Sequence, residues 1–64
     1  MTTKEMKAMS YEMQGITMDV KAHLVSLDRF PESLPNAQAV KEQVVVDLDL
    51  LISLAMSVRN ELTK

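Results

Sequence analysis

The sequence predicts an all-α fold, an antiparallel two-helix hairpin that assembles as a homodimeric four-helix bundle. Three observations predict it: two repeats of apolar side chains at helical spacing, a single proline-containing stretch between them, and a second repeat that is more apolar than one neighbouring helix requires. The 64 residues form a single helical-hairpin domain. We expect a helix over about 3–29, a loop over about 30–36 and a helix over about 37–63.

The first repeat alternates spacings of three and four residues, which forms one stripe along a helix. Its members are Met6, Met9, Met13, Ile16, Val20, His23, Leu27 and Phe30. Thr2 or Thr3 can cap this helix, and Glu5 complements the positive end of the helix dipole. Pro31 ends the helix, because proline disfavours the helical conformation of the residue before it.

The second repeat runs to the C-terminal end of the sequence. Its members are Ala37, Val44, Leu48, Leu51, Ala55, Val58 and Leu62. Pro35 is tolerated in a first turn, and Asn36 or Ser33 can cap the helix. The β-branched run 44–46 is also compatible with a strand, but a lone strand has no partner in this chain. Two helices of about the same length fold back antiparallel along one seam.

The apolar positions of the second helix cover an arc of about 200°, twice the stripe that one neighbouring helix needs. A monomer is expected to leave Val45, Ile52, Leu54 and Met56 in water. A chain this short is marginally stable alone, and the absence of cysteine excludes disulfides. We therefore expect a homodimer with the second helix at its centre. The expected interface residues share this face: Val44, Val45, Leu48, Leu51, Ile52, Leu54, Ala55 and Val58.

A second, weaker apolar stripe lies on the first helix, opposite the seam. Small residues recur along it every seven positions, at Ala8, Gly15 and Ala22. Larger apolar residues outside the two apolar repeats are the candidates for contact with a different protein: Tyr11, Met18, Val25 and Leu50.

Two polar residues lie in or beside the seam: His23 occupies a seam position, and Asp47 borders it. We expect His23 to be half-buried and hydrogen-bonded to Asp19, Gln43 or Asp47, with a pH-sensitive interface as the alternative. The expected use of Asp47 is to set the register of the helices, whereas Asp49 faces solvent. One histidine and one aspartate fall short of a tetrahedral metal site. The sequence predicts no metal, no cofactor and no catalytic residue.

Net charge and hydropathy argue against a nucleic-acid-binding protein and against a membrane-spanning one. The net charge is −2, from seven basic and nine acidic residues, and the basic residues do not form a stripe that would bind nucleic acid. The most apolar window, 44–58, is too short to span a bilayer and contains two aspartates. We expect a soluble cytoplasmic protein without a small-molecule substrate. It is predicted to act non-enzymatically through protein–protein interaction, as a regulator, adaptor, antagonist or chaperone.

Two alternative functions follow from resemblances. The predicted architecture is similar to the plasmid-encoded hairpin dimers of the Rop type, which implies an RNA-binding bundle. The segment Asp47-Leu48-Asp49, followed by Leu51-Ile52, resembles the second-helix motif of small sporulation aspartyl-phosphate phosphatases. That resemblance implies a phosphatase or phosphotransfer modulator of a response regulator. Val45-Val46 stands where the motif has Ser-Gln, so the activity is not carried over.

Overall fold

The computed structural model describes residues 1–29 and 36–64. These residues form two α-helices, α1 over Thr3–Arg29 and α2 over Ala37–Leu62, which pack against each other. No strand occurs within the described residues. The predicted all-α hairpin is confirmed, with α2 ending one residue earlier than expected. The predicted helix end at Pro31, the first-turn position of Pro35, the Ser33 cap and the seam position of Phe30 lie outside the described residues.

The start of α1 is closed by a reciprocal capping box. The Thr2 hydroxyl oxygen accepts a hydrogen bond from the Glu5 backbone N–H at 3.1 Å, and the Glu5 carboxylate accepts one from the Thr2 N–H at 3.2 Å. This is the arrangement in which two otherwise unpaired donors of the first turn are satisfied together. Thr2 is therefore the cap, and Thr3 is the first helical residue.

The two ends of α2 differ. Asn36 precedes the helix but makes no capping hydrogen bond with its side chain, and only its carbonyl accepts the Val40 N–H at 3.0 Å. At the other end, the Thr63 N–H donates to the Arg59 carbonyl at 3.1 Å, and the Thr63 hydroxyl donates to the same oxygen at 3.0 Å. The C-terminal end of α2 thus has the more complete set of local hydrogen bonds.

The seam between the helices is a seven-residue repeat on both sides. On α1 it comprises the residues predicted for it from Met6 to Leu27: Met6, Met9, Met13, Ile16, Val20, His23 and Leu27. On α2 it comprises Ala37, Val40, Val44, Asp47, Leu51, Leu54, Val58 and Glu61. Among the described residues only Val20 and Val44 are buried, and each keeps some exposure, at 9% and 6%. The hairpin therefore has a thin core.

The seam of α2 is rotated from the predicted one. Leu48 and Leu62 were predicted to face α1, but they are 40% and 69% exposed, and Ala55 is exposed as well. Leu54, which we expected in water, is half-buried instead. Asp47 lies in the seam and not merely beside it. The physical reason is the width of the apolar arc, since α1 can cover only one flank of it.

The hairpin is a rod. Its principal extents are 47 × 15 × 13 Å and its radius of gyration is 14.7 Å. A compact domain of the same length has a radius of gyration of about 11 Å. Neither α1 nor α2 is long and apolar enough to cross a membrane.

Candidate interaction surfaces

An apolar stripe of α2 remains uncovered in the single chain. It consists of Val45, Leu48, Ile52, Ala55 and Leu62, again at spacings of three, four or seven residues, and we call it the α2 stripe. Val45 and Ile52 are 57% and 56% exposed, and the neighbouring Met56 is 55% exposed. Apolar residues of this size, aligned over more than two turns, form a continuous patch and not scattered single exposures.

The α2 stripe lies beside the seam and not opposite it. At 3.6 residues per turn, its centre is about a quarter turn from the centre of the seam. α2 therefore has two apolar faces at about a right angle, one packed on α1 and one open. A helix at the corner of a four-helix bundle has its two neighbours at this angle.

The exposed area is large for the mass of the chain. The hairpin exposes 5042 Å², whereas a compact monomer of 7.2 kDa exposes about 4,100 Å². The excess, about 900 Å² by that scaling, compares with the roughly 800 Å² that each partner buries in a standard protein–protein interface.

A second uncovered stripe runs along α1, on the side opposite the seam. Tyr11 and Met18 are both 64% exposed and Val25 is 40% exposed. Gly15 lies between them, and a Cβ atom added there would meet nothing within 4 Å. No contact inside the hairpin requires this glycine. Leu50, at 46% exposure, lies on α2 and does not belong to this stripe.

The polar residues of the seam do not pair as the sequence predicted. The Gln43 amide nitrogen donates to the Asp47 carboxylate at 2.9 Å. Residues four apart on one helix reach each other easily, so this bond forms within α2. The Nδ1 atom of His23 is buried and has no hydrogen-bond partner among the described residues. The expected bond from this nitrogen to Asp19, Gln43 or Asp47 is absent, and the pH-sensitive interface stays a prediction.

An acidic side chain joins the two ends of the chain. The Glu61 carboxylate lies 3.5 Å from the N-terminal ammonium of Met1 and 2.9 Å from the Lys64 ammonium. The hydrogen bond from Lys64 is the main cause that lowers the pKa of Glu61; desolvation opposes it, and the charges of Lys64 and the N-terminus reinforce it. The start of α1 is therefore held beside the end of α2. Sequence reasoning missed this contact, because spacing along the chain does not show which charges meet across the two helices.

The eight predicted interface residues fall into two groups. Four face α1 and form the hairpin's own seam: Val44, Leu51, Leu54 and Val58. The other four belong to the α2 stripe: Val45, Leu48, Ile52 and Ala55. Only the second group is open to another molecule.

The described residues offer no concave pocket and no group of three or more His, Asp or Glu side chains that could hold a metal. What these residues do present is two uncovered apolar stripes, one on α2 and one on α1. Comparisons with protein-family models, with curated proteins and with solved structures give no match to this chain.

Proposed function

We propose that this chain is a small non-enzymatic protein that acts through protein–protein contact, and that a second copy of the chain completes its fold as a homodimeric four-helix bundle. The observation that carries the proposal is the exposed α2 stripe, in which Val45 and Ile52 are more than half exposed. Burying a side chain of that size stabilises a protein by about 1.5–3 kcal/mol. A hairpin with so few buried residues gains most from this burial.

A second copy fits the α2 stripe because a two-fold interface uses the same patch on both chains. Between Val45 and Ala55 the stripe contains no charged residue, so this segment of two copies can meet without burying a charge. Lys41 and Arg59 flank the segment on the same face. The excess exposed area matches one interface of standard size. One identical partner per chain is enough to cover it.

The homodimer leaves the outer stripe of α1 free, since that stripe lies opposite the seam. Tyr11, Met18 and Val25 are proposed as the contact surface for a different protein, which would make the bundle a regulator, adaptor, antagonist or chaperone in the cytoplasm. An exposed tyrosine and methionine suit such a role, because both offer large, adaptable apolar contacts.

Sedimentation velocity at micromolar concentration tests the homodimer, with one disruptive and one matched variant. Ile52→Asp places a charge in the α2 stripe and is expected to give monomers or partly unfolded chains. Val46→Asp makes the same change at a residue that is 58% exposed but lies outside the stripe, and it is expected to stay dimeric. A wild-type chain that sediments as a stable, helical monomer would overturn the proposal.

A further inference from the structure

We infer that the two hairpins of the dimer lie antiparallel, with α2 against the partner's α2 and with the ends at residues 29 and 36 at opposite ends of the bundle. This inference rests on the proposed homodimer and adds its orientation. It follows from which side chains of α1 share a side of the hairpin with the α2 stripe.

Leu48, Ala55 and Leu62 each follow a seam residue of α2 by one position. In an antiparallel pair of α-helices, equivalent positions of the seven-residue repeat lie on the same side of the pair. The residues of α1 that follow the equivalent seam positions therefore share a side with Leu48, Ala55 and Leu62. On α1 these residues are Ser10, Thr17 and Leu24, all of which are exposed. One side of the hairpin is therefore apolar along α2, but mostly hydroxyl-bearing along α1.

Two arrangements bring this side of one hairpin against the same side of another. A two-fold axis along the rods places each α2 against the partner's α1, so that the α2 stripe meets Ser10 and Thr17. A two-fold axis across the rods places α2 against the partner's α2, running in the opposite direction. The two arrangements differ in what covers the α2 stripe.

The second arrangement is favoured by the side chains. It pairs apolar surface with apolar surface. In the first arrangement the α2 stripe instead packs on Ser10 and Thr17, whose hydroxyls donate to the Lys7 and Met13 carbonyls of their own helix and which add little apolar area to bury. The right angle between the α2 stripe and the seam also favours two stacked hairpins over two hairpins joined edge to edge.

The length of α2 determines how the two copies of this helix overlap in the dimer. Because the helix spans Ala37–Leu62, the two copies overlap fully when the two-fold axis passes near residue 50. Leu48 then lies level with the partner's Ile52, and Val45 with the partner's Ala55. The basic residues Lys41 and Arg59 continue the repeat of the α2 stripe. In this overlap they lie level with each other across the axis, about one turn inside the ends of the helices, where their long side chains extend to solvent.

Spin-label distances in the intact dimer test the orientation. The chain contains no cysteine, so each single-cysteine variant carries one label per copy. Gln38→Cys places the label on an exposed position near the start of α2, and Asp49→Cys places it on an exposed position near the proposed axis. At 1.5 Å rise per residue, antiparallel copies separate the two Gln38 positions by about 36 Å. With helix axes 8–10 Å apart, the two Asp49 positions are separated by less than about 20 Å.

Sedimentation of each labelled variant comes first, because a monomer would refute the homodimer itself and not only its orientation. In a confirmed dimer, a long distance at position 38 with a short distance at position 49 supports the inference. Short distances at both positions mean that the hairpins are parallel, and long distances at both mean that α2 does not face α2. Either of these results overturns it.

Discussion

At the scale of single residues, His23 places a buried nitrogen without a hydrogen-bond partner in the seam. Leaving a buried polar group unsatisfied costs about 1–3 kcal/mol. Replacing His23 with leucine removes that group and adds apolar volume to a thin core, so His23→Leu is expected to raise the free energy of unfolding by about that amount. Urea unfolding followed by circular dichroism measures it. His23→Gln, which keeps a polar group, is the control and should gain little; a less stable His23→Leu would contradict the prediction.

A second prediction at the scale of single residues concerns Glu61 and the dependence of the melting temperature on acidic pH. Its pKa is lowered in the folded chain, so its ion pairs contribute stability above the ordinary carboxyl pKa, and that contribution is lost as the pH falls through the lowered value. The melting temperature of the wild type should therefore fall more steeply on acidification than that of Glu61→Gln. Melting curves between about pH 7 and about pH 3 test this. Glu12→Gln, a change on the exposed face of α1, serves as control; equal slopes for Glu61→Gln and wild type would refute the prediction.

At the scale of the helices, Gly15 weakens α1, and no contact inside the hairpin compensates for that loss. Glycine in mid-helix costs up to about 1 kcal/mol relative to alanine, and a Cβ atom at Gly15 would meet nothing within 4 Å. Gly15→Ala should therefore raise the melting temperature and leave the homodimer intact, because the α2 stripe lies on the other helix. Thermal unfolding and sedimentation of the same sample measure both effects. Loss of the dimer in Gly15→Ala would instead place the self-contact on the outer stripe of α1.

The bounds of both helices could be predicted from the sequence, because capping residues and the apolar repeat are local signals. The capping box at Thr2 and Glu5 is one such signal. The rotation of α2 could not be predicted, because its apolar arc contains two overlapping repeats. Both include Val44 and Leu51, and they differ in whether Leu48 or Leu54 joins them. Only the packing on α1 shows which flank is covered.

The exposed surfaces and the polar contacts could likewise be predicted only in part from the sequence. Exposure of Tyr11, Met18 and Val25 followed from their position opposite the seam, since one repeat on α1 dominates. The hydrogen bond between Gln43 and Asp47 and the unpartnered His23 nitrogen did not follow. Those depend on side-chain distances across the seam, which spacing along the chain leaves open.

For the whole molecule, the thin core and the excess exposed area lead to one expectation: folding and association are the same event. A hairpin that buries only Val20 and Val44 among its described residues has little stability of its own, so its folded form should depend on the second copy. The melting temperature should then rise with protein concentration, because a tenfold increase stabilises a two-state folded dimer by about 1.4 kcal/mol. Melting curves from about 1 to about 100 μM measure this rise.

Val46→Asp should show the same dependence on concentration as the wild type, since it leaves the α2 stripe intact. Ile52→Asp should melt at a lower temperature that does not change with concentration, because its stripe can no longer associate. These two outcomes separate a loss of association from a general effect of an added charge. A wild-type melting curve that is cooperative and identical at every concentration would mean that the hairpin is stable alone, in spite of its exposed α2 stripe. The α2 stripe would then serve a different protein and not a second copy.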